Sequence, residues 1–171
     1  MAMRAKRIRI VAPIPGKNAI GVEIPNEKPQ MVYLREILAS SEFHSARSVL
    51  SIGLGKTISG APYVTDLASM PHLLVAGSTG SGKSVCLNTI IASFLYKAHP
   101  AQVQLVLIDP KRLELSTYSR LHPYHLSYVE GVREKVATSA KSAIAVLKSA
   151  EQEMERRYDM LATAGVRNIE E

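Results

Sequence analysis

The sequence predicts an α/β fold, and three observations predict it. Residues Gly77 to Ser84 read Gly-Ser-Thr-Gly-Ser-Gly-Lys-Ser, a glycine-rich turn ending in a lysine and a hydroxyl. A short apolar run, His72 to Ala76, precedes the turn, and Val85, Leu87, Ile90, Ile91, Phe94 and Leu95 follow it at helical spacing. A second apolar run, Val103 to Ile108, has the composition of a strand buried on both faces of a parallel sheet. Strand, loop, helix and strand in that order predict a parallel sheet flanked by helices. A smaller β-rich segment stands in front of it.

The spacing of the glycine turn is G-x-x-x-x-G-K-[ST], which is that of a phosphate-binding loop. The chemistry explains the residue types. Gly77, Gly80 and Gly82 let the backbone curl so that successive N–H groups point at phosphate oxygens, with Ser78, Thr79 and Ser81 between them. The N-terminus of the following helix adds unpaired donors and the positive end of its dipole. Lys83 is the residue expected to reach the β- and γ-phosphates of ATP and to stabilise their charge during transfer. The Ser84 hydroxyl is expected to hold Mg²⁺.

Composition narrows the class. The chain has 46% hydrophobic and 21% charged residues and no tryptophan, so aliphatic side chains must build a globular core. No apolar stretch is long enough to span a bilayer, and the N-terminus lacks a signal-peptide core. A single cysteine, Cys86, permits no internal disulfide and fits a reducing, cytoplasmic setting. The formal charge of +6 favours an anionic partner such as nucleic acid. Part of that excess sits in Arg4, Lys6, Arg7 and Arg9, which either contact phosphates or solvate a terminal strand.

Taken in order, Arg7–Val11 and Ala19–Ile24 read as strands separated by Pro13, Pro15 and Gly16. Val32–Ala39 reads as a short helix and Ser40–Ser45 as a polar connection. Val49–Leu54 and Tyr63–Thr65 read as strands joined by a turn. After the apolar run that ends at Ile108, Asp109-Pro110 closes the strand, and Leu113–Tyr118 reads as a short helical segment. A long helix is expected from about Val132 to Ala164, with Gly165 as its C-cap. Its buried face is read as Val132, Val136, Ala140, Ala143, Leu147, Ala150, Met154, Tyr158 and Leu161. Glu151, Glu155, Arg156 and Arg157 are assigned to the solvent side.

Other candidate chemistry is thin. His122 and His125 are three residues apart, but no cysteine or carboxylate nearby in sequence completes a metal site. Asp109, Lys111 and Arg112 fall beyond the carboxyl end of the second apolar run, where open α/β sheets hold their ligands. They are candidates for nucleotide or subunit contact. A salt bridge from this pair of cations to Glu114 is the competing reading.

Five segments carry a family resemblance: Ala12–Asn26, Leu54–Lys56 with Ser59-Gly60, Met70–Val85, Ile108–Leu115, and Glu153–Tyr158 with Arg167-Asn168. In these the chain resembles the motor region of the FtsK/SpoIIIE double-stranded DNA translocases. It departs from the usual pattern at Thr57 and between Arg120 and Leu126. The resemblance implies a partial RecA-like P-loop ATPase core over residues 61–171. Residues 1–60 then form a β-rich accessory segment belonging to the family's smaller motor domain. It also implies ATP and Mg²⁺ as cofactors, duplex DNA held mainly by its phosphates, and a ring of self-associated copies, typically a hexamer. The motor is implied to couple ATP hydrolysis to DNA movement in chromosome partition and cell division. Full-length members are often tethered to a membrane by a region absent here.

Hydrolysis in this class needs an Asp for the Mg²⁺ shell and a Glu that activates water. No Asp-Glu dipeptide occurs in the 171 residues, and Asp109 is followed by Pro110. The resemblance places the missing pair on a later strand, so this chain alone is expected to hydrolyse ATP poorly. Two alternatives stay open. One is a catalytically idle nucleotide-binding fragment or scaffold. The other is a different RecA-like ATPase, such as a helicase or a conjugative coupling protein.

Overall fold

In the computed structural model, the structure describes residues 8–14, 18–26, 28, 30–70 and 72–168. Two compact units divide between Tyr33 and Leu34. The 60/61 boundary expected from the sequence lies inside the turn of a hairpin in the second unit.

The first unit is a ribbon of two antiparallel strands, β1 (Arg9–Val11) and β2 (Gly21–Glu23). Ile10 faces Val22 across it, and Arg9 pairs with Glu23 at 3.7 Å. Ile14 N–H donates to the Ala19 carbonyl at 2.9 Å and closes the connection. A Cβ on Gly21 would sit 3.3 Å from the Ile14 side chain, so the small residue lets that turn fold back on the strand. Of the basic cluster read from the sequence, Arg4, Lys6 and Arg7 lie outside the described residues.

The second unit opens with α1 (Leu34–Leu38) and α2 (Ser41–Ser45). The sequence reading left Ser40–Ser45 as a connection. It is a helical turn because the Ser40 hydroxyl accepts the Phe43 N–H at 3.3 Å, an N-cap, while the Phe43 ring is buried. An antiparallel hairpin follows, β3 (Ser51–Lys56) and β4 (Pro62–Asp66), with an irregularity between Gly53 and Gly55. Then come α3 (Lys83–Lys97) and, after a run of irregular chain, α4 (Ala140–Ala164).

The core of this unit lies between β3 and α3. Ile52, Ile90, Phe94, Ala98 and Val103 are buried together, with Val75, Cys86 and Leu105 packed against them. The fully buried Ser93 fastens the two elements. Its hydroxyl donates to the Thr89 carbonyl at 2.8 Å and accepts the Gly53 N–H at 3.1 Å. Gly53 is required by proximity, since a Cβ there would stand 2.8 Å from Ile37 Cγ2.

The expected parallel sheet does not form among the described residues, which hold only two single parallel bridges, Leu105 with Leu126 and Ile108 with Ala137. The two regular sheets are both antiparallel. Residues 72–76 form no strand, because a strand needs a ladder partner and none lies beside them among the described residues. Leu74 is 91% exposed there.

The last helix starts later than the apolar repeat predicts. Ser139 and Ser142 cap each other's backbone N–H at 3.2 and 3.1 Å, which fixes the first turn at Ala140. Residues before it are held instead by the bridge through Ala137. Gly165 ends the helix in the left-handed conformation, φ 73°, as read from the sequence. The buried face is corrected too. Ser142 and Val146 are buried, whereas Leu147, Met154 and Tyr158 are exposed.

Candidate nucleotide-binding loop

Residues 77–82 form an exposed loop that runs straight into α3. Two glycines adopt conformations that a side chain resists, Gly80 at φ 80° and Gly82 at φ 94°. Gly77 is needed for a different reason: a Cβ on it would run into Ser81 Oγ. Ser81 N–H donates to the Ser78 carbonyl at 3.1 Å and tightens the turn.

Gly82 is the N-cap residue of α3, and it has no side chain with which to cap. The first intrahelical bond runs from Cys86 N–H to the Gly82 carbonyl at 2.9 Å. The N–H groups of Lys83, Ser84 and Val85 therefore emerge from the helix start as free donors, backed by the helix dipole. The first turn carries no acidic residue that would compete with an anion.

Lys83 folds back over the loop. Its ammonium donates to the carbonyls of Gly77 at 2.8 Å and Ser78 at 2.9 Å. An ammonium has three donors, so one remains. The side chain is thus held across the concavity of the loop with a charge and a proton to spare. Ser84, half-buried, follows it on the first helical turn. Curled amides, an uncapped helix start and a tethered cation form a set of donors suited to a polyphosphate. Ser84 supplies the hydroxyl suited to its metal ion.

The structure gives Asp109 a clear place. It is 5% exposed, and its own N–H donates to the Ala137 carbonyl at 2.8 Å. Its carboxylate turns onto the following loop, where Oδ1 accepts Arg112 N–H at 3.0 Å. Oδ2 accepts Glu114 N–H at 3.0 Å and Leu115 N–H at 2.9 Å. Those bonds, led by the one from Leu115, hold its pKa below the usual 3.8 against the opposing effect of burial. They also stabilise Arg112 at φ 60°, the one described non-glycine residue with positive φ. Lys111 and Arg112 project from the loop into solvent, and neither pairs with Glu114.

Two residues to which the sequence assigns no functional role enter here. The Tyr118 hydroxyl donates to Asn88 Oδ1 at 2.8 Å, joining the 3₁₀ turn Ser116–Leu121 to the second turn of α3. The histidines go to packing. His125 Nδ1 lies 3.1 Å from the Val103 carbonyl, and His122 meets the Tyr128 ring edge-on at 4.8 Å. Among the described residues no His, Cys, Asp and Glu groups gather as a metal site. No helix among them is long and apolar enough to cross a membrane.

Comparison with known proteins bears on what the loop serves. Residues 33–171 match the model of the FtsK/SpoIIIE family, and residues 1–26 match that of the FtsK alpha domain. The chain is 54% identical over 170 residues to the DNA translocase FtsK of Caldanaerobacter subterraneus, covering 99% of this chain and 23% of that protein. It is 51% identical to the DNA translocase SftA of Bacillus subtilis, covering 99% and 17%. With the DNA translocase FtsK of Chlorobaculum tepidum it shares 49%, covering 100% and 21%. The chain therefore spans roughly a fifth of the length of these relatives. The family match implies a P-loop nucleoside triphosphatase fold.

Proposed function

The chain belongs to the FtsK/SpoIIIE family, and from that membership we propose that it is the nucleotide-binding part of a motor that moves duplex DNA. The whole motor would couple ATP hydrolysis to DNA movement in chromosome partition and cell division, in the cytoplasm, as a ring of copies. Residues 61–171 would be the opening half of a RecA-like core, a reading supported by the single parallel bridges that Leu105 and Ile108 make.

A single observation carries the reading. Lys83 is tied to the Gly77 and Ser78 carbonyls at the start of an uncapped helix, with one ammonium proton unused. That arrangement would receive the β- and γ-phosphates of ATP without reorganising. Gly77 to Gly82 would wrap the phosphates with backbone N–H groups, and Ser84 would offer its hydroxyl to Mg²⁺. Bound Mg²⁺ would supply charge neutralisation between the phosphate oxygens. DNA would be gripped through its phosphates, because a translocase must ignore sequence. Titration with a ribose-labelled fluorescent ADP tests the reading. Micromolar binding in the wild type that Lys83→Ala weakens by about 10- to 100-fold supports it, and equal binding in both would defeat it.

A second reading, nucleotide binding without effective turnover by these residues alone, is favoured by the state of Asp109. Its carboxylate is engaged by three backbone N–H groups of the loop, and no Asp-Glu dipeptide occurs in the sequence.

A further inference from the structure

Resting on the nucleotide-binding reading, we propose that Tyr118 is a positioning residue for the phosphate and metal site, acting through Asn88. Asn88 is four residues after Ser84 in α3, so the two share a face of the helix, with Asn88 about 6 Å further along the axis. Side chains on a helix lean toward its N-terminus, which turns the Asn88 amide toward Ser84. The amide has two ends with opposite polarity. Tyr118 Oη–H occupies the acceptor end at 2.8 Å, and this fixes which way round the amide stands. The Nδ2 end is left with two protons to donate. The group they suit is an oxygen of negative character: a phosphate oxygen or a water in a metal's shell.

The position of Tyr118 is itself determined from below. Asp109 Oδ2 accepts Leu115 N–H at 2.9 Å, and the Leu115 carbonyl accepts Tyr118 N–H at 3.0 Å. The carboxylate at the end of the second apolar run is thus linked to the phosphate-loop helix by consecutive hydrogen bonds. Partial burial raises the Tyr118 pKa above its usual 10.0, which keeps the phenol protonated and therefore a donor.

The test is binding of the same fluorescent ADP, with and without Mg²⁺, to the 171-residue chain and to Tyr118→Phe, Asn88→Ala, the double variant and Lys83→Ala. Loss of one neutral hydrogen bond predicts that Tyr118→Phe weakens Mg²⁺-dependent binding about fivefold. Asn88→Ala should weaken it at least as much. The double variant should match Asn88→Ala alone, since Tyr118 has nothing left to position. Thermal melting of Tyr118→Phe should stay close to wild type, because the ring is retained. Unchanged nucleotide affinity in Tyr118→Phe, or losses that add in the double variant, would overturn the proposal while leaving the nucleotide reading intact. Equal binding by wild type and Lys83→Ala would remove the nucleotide reading, and this inference with it.

Discussion

Lys83 and Asp109 both hold backbone groups, but with opposite consequences. Lys83 spends two donors on the loop and keeps a third, so it is preorganised for an anion. Lys83→Ala should reduce nucleotide affinity by about 10- to 100-fold, the worth of one charged hydrogen bond, with little change in melting temperature. Ser84→Ala should weaken binding in Mg²⁺ more than in chelator, and isothermal titration in both buffers would read the difference. Asp109, by contrast, is consumed by the loop that follows it. Its pKa is lowered, so its contribution to loop order is present above the ordinary value of 3.8 and lost as pH falls through the depressed one. Amide exchange of Arg112, Glu114 and Leu115 should stay protected at neutral pH, corrected for intrinsic rates. That protection should collapse on acidification below 3.8, whereas in Asp109→Asn it should be weak already at neutral pH and show no such acid transition. The sequence could not show this role. Apolar residues before Asp109 and Pro110 after it are compatible with a ligand or a loop anchor, and only the three N–H partners decide.

At the scale of elements, what was legible was local. The helix after the glycine loop announced itself through its apolar repeat, and Gly165 through its place after the last repeat. Helix starts were read less well because serine pairs set them. Ser40 capping Phe43, and Ser139 exchanging caps with Ser142, look like ordinary polar sequence until the backbone is seen. Residues 72–76 and 103–108 are strands by composition, yet ladder bonds come from other parts of a chain, and composition does not report them. The packing of β3 against α1 and α3 yields sharper predictions. Gly53→Ala would place a methyl 2.8 Å from Ile37 Cγ2, and overpacking of that kind should cost about 1–3 kcal/mol. Phe94→Ala, opening a cavity in the cluster between β3 and α3, should cost about 3–5 kcal/mol. Urea unfolding of both variants checks the order. A neutral Gly53→Ala would mean that β3 and α1 are not held as closely as the structure places them.

For the whole molecule, charge and catalysis make separate demands. A net charge of +6 should give weak, sequence-independent DNA binding that falls linearly in log affinity with log salt. Fluorescence anisotropy with two unrelated duplexes would show this as equal affinities and equal slopes. Catalysis asks for more than the loop holds. On the proposed reading Gly77 to Ser84 would carry a triphosphate and its metal, but none of those groups is a base that could activate water. Asp109 is buried with its carboxylate bonded to Arg112, Glu114 and Leu115, and no glutamate adjoins it. The 171-residue chain should therefore bind ATP and release phosphate slowly, whether or not DNA is present. Asp109→Asn should leave that slow rate nearly unchanged while loosening the loop, which separates a loop anchor from a metal ligand. Adding polypeptide that brings an Asp-Glu pair should raise the rate and make it respond to DNA. Phosphate release is the measurement, with Lys83→Ala as the control for contaminating ATPases. Fast release by the chain alone, abolished equally by Lys83→Ala and Asp109→Asn, would mean that Asp109 leaves its backbone partners to serve the metal when nucleotide binds.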